Sequence, residues 1–420
     1  MVTGSDRIPA PGPAVRPGQR SETVRRANLA AILRELHLRG ASSRSELVEH
    51  TGLTRSGIRA VLGDLVAYDL VREERAASQG SPGRPSPLVR ANPRGATVLA
   101  LEIAVDSLAV AIVGLGGEIL ESVRVDRPRG RFSLEETVSD LVELARLLRA
   151  RPGVPDTLIG AGVAMVGIVR RSDGFVRMAP NLGWRDVALG ERVREALDVR
   201  RPISVANEAD MGALGEQRRG AAIGSNHVLY ISGEVGVGGG LIVDGQPFTG
   251  LAGYAGEVGH IPVNPAGSVC RCGSVGCWET EVGEPALLAR AGRPPGGGRT
   301  EVDASLRDAE AGSPIALNAF SNVGRWLGVG LAGLVNVLNP ELIVLGGLFG
   351  RIHPFVSAPL RVELDRLALE ASREVVRVVP ATLGVDALLV GAAELAFEPL
   401  LADPAAWAPG RAASPGATPA

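Results

Sequence analysis

Apolar positions change their period along this 420-residue chain near residue 92. Before that point the spacing is helical. Val24, Leu29, Ile32, Leu33 and Leu36 predict a helix from about Glu22 to Arg39, stopped by Gly40. Ser43 or Ser45 starts a short second helix that Gly52 ends, and Thr54 caps a third, TRSGIRAVLGDLVAYDL. In that third helix Ile58, Val61, Leu62 and Leu65 point inward. The tight turn His50-Thr51-Gly52-Leu53 makes the pair a helix-turn-helix. The runs VREER and LVR flank SQGSPGRPSP and predict a two-stranded wing with Gly83-Arg84-Pro85 at its tip.

After residue 92 short β-type runs alternate with helices. VLALEIA, LAVAIVGL and EILESVRV precede a helix over 134–149, the strand TLIGAGVAMVG, a helix near 189–197 and the strand end ISVAN. A similar order then recurs with HVLYIS, GGGLIVDG, a return strand near Gln246, a helix over 314–338 and ELIVLGG. Two α/β lobes of repeated topology predict a ligand cleft between them. The Pro/Gly-rich ends, residues 1–20 and 403–420, lack periodicity and are expected to be disordered.

Composition narrows the chemistry. Aromatic residues make up 3% of the chain, so its cores are expected to rest on Ala, Val, Leu and Ile. Every one of the 44 basic residues is Arg, which excludes Schiff-base and phosphate-loop lysine mechanisms. Three Cys exclude a disulfide scaffold, and no apolar run is long enough for a membrane span. With no signal-peptide core at the N-terminus, the expected location is the cytoplasm. Charge is uneven. Residues 1–95 hold 15 Arg against 9 Asp/Glu (+6), and the rest hold 29 against 37 (−8).

A basic helix-turn-helix head on an acidic body fits double-stranded DNA as the partner of the head alone. The third helix would enter the major groove with Thr54, Arg55, Ser56 and Arg59, while Arg84 on the wing suits a narrow minor groove. A winged helix used for protein contact is the alternative. His260, Cys270, Cys272 and Cys277 fall within 18 residues, and the chain has no other Cys. Three thiolates and an imidazole fill a tetrahedral zinc site with no open position, which predicts a structural Zn2+.

The stretches AGEVGH (255–260) and CRCGSVGCWE (270–279), with VANEADMGALGE, APNLGW and NPELIVLGG, resemble the ROK family of bacterial repressors and sugar kinases over roughly residues 21–400. The resemblance implies a winged helix-turn-helix over 21–92, then a two-lobed α/β, actin-like (ribonuclease-H-like) fold. Its first lobe would span 96–206, completed by 386–401, and its second 207–385. It also implies a sugar cleft formed by Asn181, Asn207, Glu208, Glu257, His260 and Glu279, with His260 touching both sugar and zinc.

The kinase members place a catalytic Asp where this chain has Glu208. Their Asp-x-Gly-Gly-Thr turn is here Glu102-Ile103-Ala104-Val105-Asp106, and their second phosphate loop is here Gly233-Glu234-Val235-Gly236-Val237-Gly238. Acid and bulk where phosphate needs amide donors argue against ATP chemistry. The expectation is a non-enzymatic, sugar-responsive DNA-binding repressor that acts as a homodimer or homotetramer on operator DNA. An ATP-dependent sugar kinase with a DNA-binding head is the alternative, and a regulator with a vestigial cleft is a third reading.

Overall fold

The computed structural model describes residues 17–74, 87–130, 132–197 and 203–407. These form two compact units: residues up to Gly95 together with those from Glu398, and Ala96–Phe397. No helix among the described residues is long and apolar enough to cross a membrane.

The first unit runs α1 (Pro17–Arg39), β1 (Ser42–Ser43), α2 (Arg44–Thr51), α3 (Arg55–Ala67), β2 (Val71–Glu74) and β3 (Leu88–Ala91). Ser43 and Glu46 close a capping box at the start of α2, each side chain accepting from the other's backbone N–H. Gly52 ends α2 at φ 69, a left-handed turn that opens to a side chain only with strain, and its N–H bonds Val48 O. Thr54 then caps α3 by accepting from Gly57 N at 3.2 Å. β3 lies antiparallel between β1 and β2. Leu29, Ile32, Leu33 and Leu36 of α1 and Ile58, Val61, Leu62 and Leu65 of α3 are buried.

Several expected boundaries move. α1 begins at Pro17, so residues 17–20 are helical and not part of a disordered tail. A proline is tolerated in a first turn, where its missing N–H would have no helical partner. Val24 is exposed, because five residues before Leu29 it sits about 140° round the helix from the buried stripe. α3 stops at Ala67 and does not reach Leu70. Asp69 adopts φ 57, and this turn returns Leu70 to the interior. Residues 404–407, expected to be disordered, form a short 3-10 turn with Pro404 and Ala405 buried. Ion pairs Arg26–Asp403 and Arg34–Glu398 hold this C-terminal stretch on α1. The wing tip with Arg84 lies in residues 75–86, outside the described residues.

The second unit contains two five-stranded sheets of the same plan. The first half runs β4 (Thr97–Ile103), β5 (Ser107–Gly114), β6 (Glu118–Asp126), α4 (Leu134–Arg149) and β7 (Leu158–Met165). It continues with β8 (Ile168–Arg170), β9 (Phe175–Ala179), β10 (Trp184–Val187), α5 (Leu189–Ala196), β11 (Ile203–Asn207) and α6 (Glu208–Arg219). The second half opens with β12 (Val228–Gly233), β13 (Val237–Val243) and β14 (Gln246–Pro247). Four helices follow: α7 (Trp278–Val282), α8 (Glu284–Arg290), α9 (Gly298–Glu310) and α10 (Pro314–Leu338). The half closes with β15 (Leu342–Gly346), α11 (Gly347–Leu367), α12 (Glu370–Val375) and β16 (Arg377–Pro380), after which α13 begins at Ala387 and runs to Ala402.

The strand orders are β6-β5-β4-β7-β11 and β14-β13-β12-β15-β16. In each, an antiparallel meander is extended by two parallel strands, the plan implied by the resemblance. β8–β10 form a separate small sheet that the apolar pattern does not reveal, since its strands are only 3 to 5 residues long.

The cores explain how a chain poor in aromatics holds such sheets. In the first lobe Leu99, Leu101, Val110 and Ile112 pack with Val138, Leu141, Ala145 and Leu148 of α4. In the second, Phe320, Val323, Leu327 and Leu331 of α10 share a buried cluster with Ile352, Val356 and Leu360 of α11. Gly324 and Gly328 let these two helices approach. A Cβ on Gly328 would stand 2.5 Å from Leu360 O.

The chain crosses between the lobes through α6 and again just before α13. Buried Glu216 of α6 ties the two crossings by accepting from Thr382 N (3.0 Å) and Leu383 N (2.9 Å). The parallel strands end in register at Ile103, Met165 and Asn207. Their carboxyl ends open onto the cleft, the usual place for ligands in such sheets.

Candidate functional site

On the first unit, α3 buries its apolar stripe and leaves Arg55, Ser56 and Arg59 exposed, next to an exposed Thr54 whose Oγ lies 3.1 Å from Ser56 Oγ. Several other arginines of this unit are paired: Arg25 with Asp64 of α3, Arg44 with Glu73, and Arg90 with Glu74. Among the described residues neither the Arg55 nor the Arg59 side chain makes an ion pair or hydrogen bond. Two unneutralised guanidiniums on the exposed start of a helix-turn-helix's second helix form a face that attracts polyanions.

In the second unit the Cys-rich loop folds back on itself through isolated bridges Pro262–Cys277 and Val269–Val275. Gly276 is required there, since a Cβ would fall 1.6 Å from Asn264 O. Cys277 starts α7, and the fully buried Trp278 anchors that helix by donating from Nε1 to Trp326 O at 2.8 Å. Glu281 braces the loop by accepting from Asn264 Nδ2 (2.7 Å) and Arg290 (2.6 Å).

The ligand atoms of His260, Cys270, Cys272 and Cys277 all lie within 4.8 Å of one another. Cys272 and Cys277 sulfurs are 3.6 Å apart, and Cys270 Sγ is 3.7 Å from His260 Nδ1. Donors around one tetrahedral ion with metal–sulfur bonds near 2.3 Å stand about 3.5–3.8 Å apart; the two pairs above already have that spacing, and the widest, up to 4.8 Å, would close by about 1 Å around an ion. His260 turns Nδ1 to the cluster, and its Nε2 lies 3.9 Å from Glu257.

That second nitrogen belongs to a cleft of about 720 Å3. Asn181, Asn207, Glu208, Glu257, His260 and Glu279 all line it. Glu257 and His260 come from a single 3-10 turn, Val258–His260 with its preceding residue, and Glu279 from α7. Asn181 lies in the β9–β10 turn, and Asn207 and Glu208 at the β11–α6 junction. Asn207 is occupied structurally: its Nδ2 donates to Gly167 O (2.9 Å) and its Oδ1 caps α6 at Ala209 N (2.7 Å). Asn181 Oδ1 accepts from Arg271 Nη1 at 2.7 Å. Arg271, between two Cys of the loop, had been only a spacer in the sequence motif. The fold makes it a lining residue bonded to the other lobe.

The first hairpin, which the resemblance matches to a kinase phosphate turn, is held by ion pairs that sequence reading missed. Arg124 forks Glu102 at 2.7 and 2.8 Å. Arg129 forks Glu284 of the second lobe at 2.6 and 2.8 Å and reaches Asp106 of the first at 3.3 Å. These contacts raise the affinity of both guanidiniums for their protons. Gly346-Gly347 forms a tight strand-to-helix turn, with Gly347 at φ 52.

Burial, reinforced by the carboxylates of Glu234, Glu102, Glu257 and Asp106, pushes the Glu208 carboxyl up to about 8. Glu234 reaches solvent, yet desolvation by the surrounding protein, reinforced by Asp106 and Glu284 and opposed by Arg299 and Arg351, pushes it up to about 7. Burial does the same to Asp210. A carboxyl with a raised folded pKa keeps a proton that the unfolded chain has released, so Glu208 subtracts stability as pH climbs from about 4.5 to about 8. Glu208→Gln is therefore expected to leave the unfolding free energy unchanged below pH 4.5 and to raise it by about 1–3 kcal/mol at pH 8.5, a range reduced for solvent reaching the cleft. Denaturant melts at the two pH values check this. Equal effects at both would exclude the carboxyl's titration as the cause.

The ROK family profile matches residues 98–398. The xylose repressor of Bacillus spizizenii is 30% identical over 383 residues, covering 90% of this chain and 97% of that protein. The glucokinase of Streptomyces coelicolor is 32% identical over 320 residues, covering 72% of this chain and 98% of the kinase. Among solved structures, a ROK family transcriptional regulator homologous to the E. coli MLC protein superposes with TM-score 0.74 at 24% identity, covering 91% of this chain and 97% of that one. Profile, sequence and fold agree with the repeated sheets and the His/Cys cluster, and the chain belongs to the ROK family.

Proposed function

We propose that this protein is a sugar-responsive, DNA-binding transcriptional repressor. The carrying observation is the exposed, unpaired Arg55/Arg59 face on a helix-turn-helix in a chain whose second unit holds a carboxylate-lined cleft. The alignments support this reading. The repressor relative spans both units, whereas the glucokinase relative covers 72% of the chain. Thr54, Arg55, Ser56 and Arg59, with Arg84 from the wing, would contact the operator, and a dimer or tetramer would match a pseudo-palindromic site.

The sugar would lie against Asn181, Asn207, Glu208, Glu257, His260 and Glu279, whose carboxylates accept from hydroxyls. Xylose and glucose are the first candidates, from the names of the relatives. The ion in the His260/Cys270/Cys272/Cys277 cluster would be Zn2+, held by a soft donor set with no open position. The expected site of action is the cytoplasm. Glu208 in the catalytic position and the ion-paired first hairpin support a regulator without kinase activity. Incubation with ATP and either sugar is expected to yield no sugar phosphate.

Effector binding changes operator affinity only as far as it prefers one arrangement of the protein. Coupling of about 1–3 kcal/mol would release DNA about 5–150-fold. Fluorescence anisotropy on duplexes from the protein's own chromosomal neighbourhood tests the function. Arg55→Ala and Arg59→Ala should each weaken binding by about 1–3 kcal/mol, and wild-type affinity should fall steeply with salt. Absence of binding to every such duplex at low salt overturns the proposal.

A further inference from the structure

We infer that Arg271 is a positioning residue of the effector cleft: from the Cys-rich loop it fixes the Asn181 amide so that the amide nitrogen, and not the oxygen, is offered to a bound sugar. The inference rests on the cleft being the effector site and gives it a residue that the sequence motif treats as a spacer.

Arg271 stands between two of the clustered cysteines, at the tip of a tight turn. Gly273 N donates to Cys270 O at 2.9 Å, and Cys270 N donates to Ser274 O at 2.7 Å. On either side of Arg271 the sulfurs of Cys270 and Cys272 join the cluster. The arginine side chain instead crosses to the first lobe, where Nη1 donates to Asn181 Oδ1 at 2.7 Å. Asn181 is presented by a turn of its own, closed by Leu182 N on Ala179 O at 3.0 Å, with Gly183 at φ 75. Both Arg271 and Asn181 line the cleft.

The partner dictates which end of the amide is used. A guanidinium carries only donors and stays charged at every pH the fold survives, so only the oxygen of an amide can face it. Nδ2 is left as the free end, and among the described residues it makes no hydrogen bond.

A sugar hydroxyl both donates and accepts. Its donating half suits Glu257 and Glu279, which when ionised offer acceptors only. Its accepting half needs an N–H. The other lining amide is already held at both ends, since Asn207 Nδ2 donates to Gly167 O and its Oδ1 caps α6. Asn181 Nδ2 is the uncommitted amide donor, and Arg271 keeps it in that orientation. Without Arg271 the amide turns freely and the sugar has to order it, which weakens binding about 3–10-fold.

Isothermal titration calorimetry on the full chain with xylose and with glucose at pH 7.5 tests this. For whichever sugar binds the wild type, Arg271→Ala should weaken affinity about 3–10-fold and Asn181→Ala at least as much. In the Asn181→Ala background, adding Arg271→Ala should cost less than about twofold, because the two residues act as one unit. Arg271→Lys, which still presents a donor-only cation, should recover part of the loss. Asn181→Asp keeps an acceptor for Arg271 but removes the donor, and should bind as weakly as Asn181→Ala. That variant lies off the Cys-rich loop, so it decides the matter even if Arg271→Ala fails to fold.

Unchanged affinity in Arg271→Ala overturns the inference while leaving the effector site in place. So does an Arg271→Ala loss of equal size with and without Asn181, or wild-type binding by Asn181→Asp. If neither sugar binds the wild type, the effector reading fails and the inference falls with it.

Discussion

Cys272→Ser is expected to cut bound metal from about one ion per chain to a small fraction of that, and to lower the thermal midpoint by about 5–10 °C. The cluster explains the size. Its four donors lie within 4.8 Å of one another around a loop that leaves Cys272 and Val269 exposed. Few apolar contacts hold that loop otherwise, so the ion's binding energy is largely folding energy. Loss of several kcal/mol in a unit of about 300 residues translates into a shift of that order.

The same substitution is expected to weaken the sugar response. His260 faces the cluster through Nδ1 and the cleft through Nε2, so releasing one side frees the ring that presents the other. Metal analysis, thermal melts and sugar-dependent operator binding on one preparation check the three parts. Normal sugar release in metal-free protein would end the idea that the cluster orders the cleft.

Arg129→Ala is expected to destabilise the second unit by about 2–4 kcal/mol. Arg129 holds Glu284 and Asp106 at once, and the Glu284 side chain is 4% exposed. Removing the guanidinium leaves that carboxylate buried and unpaired, the costly half of breaking a buried pair, reduced here because Arg129 itself reaches solvent. Arg129→Met/Glu284→Leu should recover most of the loss, since an apolar pair strands no charge. Urea unfolding of the wild type, the single and the double variant completes the test. If the double variant is as unstable as the single, packing and not the unpaired charge is the cause. Because the pair spans the two lobes, Arg129→Ala should also change the sugar affinity, which isothermal titration calorimetry with xylose and glucose reads.

The parts of this protein legible in its sequence are those whose physics is local. Ser43, Glu46, Gly52 and Thr54 set the helix-turn-helix through caps and a turn within a dozen residues. His260, Cys270, Cys272 and Cys277 needed only a short loop to meet. Period-two and helical runs were long enough to place all five strands of the first large sheet and four of the second, while β16 and the small β8–β10 sheet were too short to register.

Other features depended on which distant residues the fold brings together. Arg129 and Glu284 are 155 residues apart, and Arg271 and Asn181 are 90 apart. In a chain with 44 Arg and 46 Asp/Glu, nothing in the order of residues marks which of these charges will pair. Only the packing of two lobes selects the partners, because an ion pair carries no spacing rule once its members lie on different elements. For the same reason the tertiary structure alone turned Glu208 and Glu234 from two ordinary acids into the crowded carboxyls of one cleft.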